Sequence, residues 1–172
     1  MTSAPDPQTL VLVGPMGAGK TSVGRRVARR LGVAFIDTDK RVVAAHGPIP
    51  TIFEAHGEEH FRALEREAVA TALHDGGVIS LGGGAVTDAG TRELLRDHAV
   101  VYLLVTPEAV AERILGTGRP LLAGDDPVAR WTEIFEQRRN LYDEVATVTF
   151  DTSRRPMQRI AEEIVTWRRE QR

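Results

Sequence analysis

The chain contains no cysteine, which excludes a disulfide framework and thiolate chemistry. It has no apolar run near the roughly 18 residues that a membrane span requires. Residues 1–8 are rich in proline and polar groups and lack the basic-then-apolar order of a secretory leader. Lysine is nearly missing, since only Lys20 and Lys40 among the 22 basic residues are lysines. There is no excess of basic charge either. The formal net charge is −2, which argues against a general nucleic-acid binder. These absences lead us to expect a soluble cytoplasmic protein with no membrane and no nucleic-acid partner. At 172 residues and 42% hydrophobic content, the chain is long enough for a full core and too apolar for disorder. A single domain over residues 1–172 is expected.

The chemistry present gathers around one of the two lysines. Residues 14–21 read GPMGAGKT and match the phosphate-binding loop pattern G-x-x-x-x-G-K-[ST] at every fixed position. The apolar run 10–13 upstream reads as a buried strand. Downstream, Val23, Val27, Ala28 and Leu31 recur at helical spacing. Glycines let the backbone fold around a phosphate with its N–H groups pointing inward. The helix N-terminus adds unpaired donors and partial positive charge. Gly17, Ala18, Gly19, Lys20, Thr21 and Ser22 are therefore the expected nucleotide contacts. Lys20 supplies a compact point charge for the β- and γ-phosphates, and the Thr21 hydroxyl can ligand Mg²⁺.

Short strands alternate with helices along the rest of the chain. Predicted strands are 9–13, 34–36, 78–81, 99–105 and 147–150. Predicted helices are 20–31, 39–45, 51–73, 87–96, 107–115, 127–145 and 156–169. Mostly continuous apolar strands imply a parallel sheet covered on both faces, hence one three-layer α/β domain. Residues 46–51, HGPIPT, read as a turn. Residues 116–127, GTGRPLLAGDDP, hold three glycines and two prolines and read as a functional loop. A mobile lid at about 113–126, excluding water from the γ-phosphate, is the expectation.

Three clusters point to an acceptor site. Asp37-Thr38-Asp39 follows a predicted strand, on the side where ligands sit in an open parallel sheet. One carboxylate can face a metal and the other the acceptor; the alternative is a helix cap starting at Asp39. Arg62 and Glu65 share a helix face at i, i+3. They form either a surface ion pair of little consequence or a pair in which Glu65 aims Arg62 at a carboxylate. Gly82-Gly83-Gly84 after a strand signals close approach of the backbone to something, and Ser80 before it can help hold metal-bound water. Arg119, in the candidate lid, is placed to clamp transition-state charge on the phosphates. His56-Gly57-Glu58-Glu59-His60 fits the zinc pattern H-x-x-E-H. However, Gly57 weakens a helix there and no further ligand is indicated.

Taken in order, GPMGAGKT, DTD, IFEAHGEEHFRALE, VISLGGGAV, GRPLL and RRNLY resemble the shikimate kinase family over nearly the whole chain. The resemblance implies a nucleoside-monophosphate-kinase-like P-loop fold with a central five-stranded parallel sheet. It implies Mg²⁺ with ATP as co-substrate, shikimate as acceptor, phosphorylation of its 3-hydroxyl on the way to aromatic amino acids, and a monomer. Carried over by position, Thr21 and Asp37 hold the metal, and Asp39 contacts the acceptor hydroxyl. Arg62 and Arg138 grip the acceptor carboxylate, with Arg139 the alternative to Arg138, and Gly83 and Gly84 back the ring. Arg119 contacts the phosphates, while Arg113 and the Arg155-Pro156 turn flank the adenine. Asn140 stands where family members often have proline, and Lys40 where an acidic residue is common.

Overall fold

The computed structural model describes residues 8–114 and 126–172. Its five strands are β1 (Leu10–Val13), β2 (Phe35–Asp37), β3 (Val78–Ser80), β4 (Ala99–Leu104) and β5 (Val148–Asp151). They form one sheet in the order β2-β3-β1-β4-β5, with every pairing parallel. The helices are α1 (Lys20–Leu31), α2 (Thr38–His46), α3 (Ile49–Asp75), α4 (Ala89–Leu95), α5 (Pro107–Ile114), α6 (Pro127–Val145) and α7 (Met157–Glu170). A short 3₁₀ turn, Ala85–Thr87, precedes α4. The architecture is the expected three-layer α/β arrangement. Because all strands run the same way, the segments that follow them gather at one edge of the sheet.

The local sequence explains most of these elements. The central strand β1, LVLV, is buried at every position, as a strand covered on both faces must be. The edge strand β5, VTFD, alternates in exposure instead, so the expectation of continuous apolar strands fails at that edge. α1 begins on the phosphate loop and ends on Gly32, whose φ of 69° suits the left-handed cap. Gly24 lets α1 lie close to the sheet: a Cβ there would stand 2.5 Å from the Phe35 ring and 2.9 Å from Leu12. α1 and α7 pack side by side.

Two regions depart from the predicted outline. Residues 87–96 are not one helix, because the 3₁₀ turn ends before Asp88 and the Asp88 carboxylate caps α4 at Thr91 N–H. The turn expected at 46–51 is shorter, with α3 already under way at Ile49 behind Pro48. α3 is two helical arms joined at Gly57, which has φ 82° and ψ 174°. α2 and both arms of α3 enclose a small apolar cluster of Val42, Ile52 and Phe61, separate from the core around the sheet. Among the described residues no helix is long and apolar enough to cross a membrane.

Candidate active site

The loop between β1 and α1 is shaped by three glycines of positive φ: Gly14 at 152°, Gly17 at 86° and Gly19 at 94°. Gly14 has a second constraint, since a Cβ there would lie 2.5 Å from the Leu103 carbonyl oxygen. No side chain caps the first turn of α1, so its amides face the loop's interior as an anion site requires. Lys20 curls onto its own loop, donating to the carbonyls of Gly14 at 2.6 Å and Pro15 at 3.2 Å.

Distant residues brace this loop. Trp131 on α6 donates its indole N–H to the Met16 carbonyl at 2.7 Å. The buried Thr152 hydroxyl, just past β5, donates to the Ala18 carbonyl at 2.7 Å. Arg113, near the end of α5, donates to the Gly17 carbonyl at 2.9 Å and to the Thr152 carbonyl. The sequence singled out Arg113 as an adenine contact and not as a brace of this loop, and it did not mark Trp131 or Thr152. The position of Thr152 right after a parallel strand was the one available signal.

A cleft of about 550 Å³ opens beside the loop, and Lys20, Thr21, Asp37, Asp39, Ser80 and Gly83 are among its lining residues. Asp37 is the cap of α2, accepting from Lys40 N–H at 3.2 Å. The cap is therefore Asp37 and not Asp39, which leaves the Asp39 carboxylate to the cleft. Burial raises the Asp39 pKa above its usual range; Asp37 adds to this, while Lys20 and Arg62 oppose it.

Arg62 and Glu65 meet at 2.8 Å, and Glu65 is only 1% exposed. This is a buried pair, so the surface alternative falls. Burial pushes the Glu65 carboxyl up to about 7 against the pull of Arg62. Glu58 approaches Arg62 from the solvent side at 3.4 Å, and the buried Arg62 Nε has no hydrogen-bond partner. An arginine held this way has donor capacity left for an anion.

The triple glycine follows from these neighbours. A Cβ on Gly82 would stand 2.6 Å from an Asp39 carboxylate oxygen, and one on Gly84 would overlap the Arg62 guanidinium. Gly83 differs, because its nearest neighbours would be 3.6 Å away or more. Gly83 lines the cleft, whereas Gly84 is buried under Arg62. The Gly83 carbonyl accepts from the Tyr142 hydroxyl at 2.5 Å. Tyr142 stacks on Tyr102 at 5.2 Å. Burial raises its pKa to about 12, against a hydrogen bond from Arg138. Arg138 thus stands at the glycine segment, 3.8 Å from where a Gly83 Cβ would be. Arg139 points away, exposed and paired with Glu136 at 3.4 Å. Between the two alternatives, the fold brings Arg138 to the site.

Other expected residues fall elsewhere. Arg155 is exposed and paired with Glu163, and neither it nor Pro156 lines the cleft; Met157 does. Arg119 and most of the candidate lid lie outside the described residues. His56 and His60 face each other at 4.6 Å across the Gly57 kink. Among the described residues no group of three or more His, Cys, Asp or Glu could hold a metal ion.

Comparison with known proteins fits this geometry. Residues 16–169 match the family model for shikimate kinase. A shikimate kinase of Streptomyces avermitilis is 50% identical over 160 residues, covering 91% of this chain and 92% of that protein. One of Salinispora arenicola is 52% identical over 157 residues, covering 90% and 93%. The solved structure of the Acinetobacter baumannii shikimate kinase in complex with shikimate superposes with a TM-score of 0.86 at 36% identity, over 95% of this chain and 93% of that one. A gluconokinase from Sinorhizobium meliloti, at 24% identity and TM-score 0.67, shares the fold.

Proposed function

The chain belongs to the shikimate kinase family, and from that membership we propose how its cleft phosphorylates shikimate with ATP. The reaction is ATP-dependent phosphoryl transfer to shikimate. The acceptor we infer is the 3-hydroxyl, a step toward chorismate and the aromatic amino acids. The family resemblance is also what supports a cytoplasmic monomer acting on these two small molecules.

Phosphoryl transfer asks the protein mainly for positioning and charge neutralisation. Lys20 exchanges its bonds to Gly14 and Pro15 for the β- and γ-phosphates, while the loop amides and the α1 N-terminus hold the rest of the chain of phosphates. Arg62 and Arg138 grip the acceptor carboxylate, Glu65 fixes the aim of Arg62, and Gly83 leaves room for the ring. Asp39 then faces the acceptor hydroxyl, orients it and takes its proton. Its raised pKa makes it a better base than a solvated aspartate.

Thr21, Asp37 and Ser80 suit Mg²⁺. They offer hard oxygen donors with few carboxylates, as expected where substrate phosphates complete the shell. When bound, Mg²⁺ would neutralise phosphate charge.

The observation that carries this reading is the Arg62–Glu65 pair, buried beside Asp39 and Gly82 at the same sheet edge as the phosphate loop. The test is coupled ADP release with Mg·ATP, comparing shikimate, gluconate and no acceptor. Release that depends on shikimate is expected. Release that depends only on gluconate, or none with either acid while ATP still binds, would overturn the acceptor assignment.

A further inference from the structure

The strand order arranges the cleft's lining residues in a row along the edge of the sheet. Asp37 ends β2, Gly82 follows β3, Lys20 follows β1, and Arg113 and Met157 follow β4 and β5. With phosphates on the β1 loop and the acceptor on the β2–β3 side, the nucleoside end of ATP has only the β4–β5 side left to occupy.

Met157 is the apolar wall of that side. It is the first residue of α7, is partly buried and packs against the main core. Its side chain presses on the phosphate loop: a Cβ on Gly19 would stand 2.7 Å from Cε and 2.8 Å from Sδ. Arg113 stands on the same side, bonded to the Gly17 carbonyl. Arg155, by contrast, is turned to Glu163. We propose that the Met157 thioether is the surface on which the nucleoside end of ATP rests, so that Met157 helps set nucleoside recognition. A polarizable thioether makes favourable contact with a flat aromatic ring, and its unbranched chain adapts to it. The inference rests on the kinase reading given above.

The test separates the nucleoside from the phosphates by titration calorimetry with Mg²⁺, using ADP and inorganic tripolyphosphate as probes. Met157→Ala should weaken ADP about five- to tenfold and leave tripolyphosphate within about twofold. Met157→Leu, which keeps the apolar bulk, should stay within about threefold of the wild type for ADP. Equal weakening of both probes by Met157→Ala would mean that Met157 only packs the loop, and no change in either would mean it touches nothing that binds; both results overturn the proposal. Wild-type protein that binds neither probe would instead overturn the kinase reading and take this inference with it.

Discussion

Arg62 is held by a carboxylate that has no solvent, and this gives its removal a specific signature. Arg62→Ala should raise KM for shikimate roughly a hundredfold, the loss of a charge-assisted grip, with KM for ATP within about twofold. Steady-state kinetics with each substrate varied would check this, and a change confined to ATP would refute the assignment. The three glycines make a second contrast. Gly82→Ala places a Cβ 2.6 Å from Asp39, so both kcat and the melting temperature should fall. Gly83→Ala meets nothing closer than 3.6 Å, so its melting temperature should hold while KM for shikimate rises. Thermal unfolding alongside kinetics distinguishes them. The residues Lys20, Asp37, Asp39 and Arg62, which line or adjoin the cleft, were legible because each stands in a short motif. Trp131 was not, because its contact with Met16 spans 115 positions and no local pattern marks it.

At the scale of elements, α6 and α3 do most of the positioning. α6 touches the phosphate loop through Trp131 and the glycine segment through Tyr142, which links the donor and acceptor sides through one rigid body. Its bounds were predicted in full, yet the choice between Arg138 and Arg139 was not. Adjacent residues on a helix differ by about 100°, and only packing against the sheet sets that rotation. α3 was predicted as one helix over 51–73 with Gly57 inside it, although residues 56–60, HGEEH, interrupt its apolar spacing. Gly57 sits at φ 82° with open space around it, so the cost of a side chain there is conformational alone. Gly57→Ala should destabilise the fold by about 1 kcal/mol, read from denaturant unfolding. An unchanged midpoint would show that the kink straightens without cost.

For the whole molecule, the buried site carries a pH signature. Glu65 rises from 4.5 to about 7 on folding, so the folded chain holds this proton more tightly than the unfolded one. The resulting stabilisation is fully present below about pH 4.5 and is lost as pH rises through about 7. At about 1.4 kcal/mol per unit it amounts to roughly 3 kcal/mol. Glu65→Gln carries no charge at any pH, so its stability relative to wild type should grow by about that much between pH 5 and pH 8. Unfolding both proteins at the two pH values checks it, and a constant difference would show that Glu65 stays ionised throughout.

The sequence alone determined the order of elements, the phosphate loop and the side of the sheet on which the carboxylates fall. Each of these follows from contacts within a few residues, or from the rule that parallel strands end together. The burial of Glu65, the choice of Arg138, the capping role of Asp37 and the advance of Met157 over Gly19 in place of Arg155 came only with the tertiary structure. These depend on how far each helix is rotated and how closely it approaches the sheet. Packing between segments distant in the chain sets both quantities, and local periodicity carries neither.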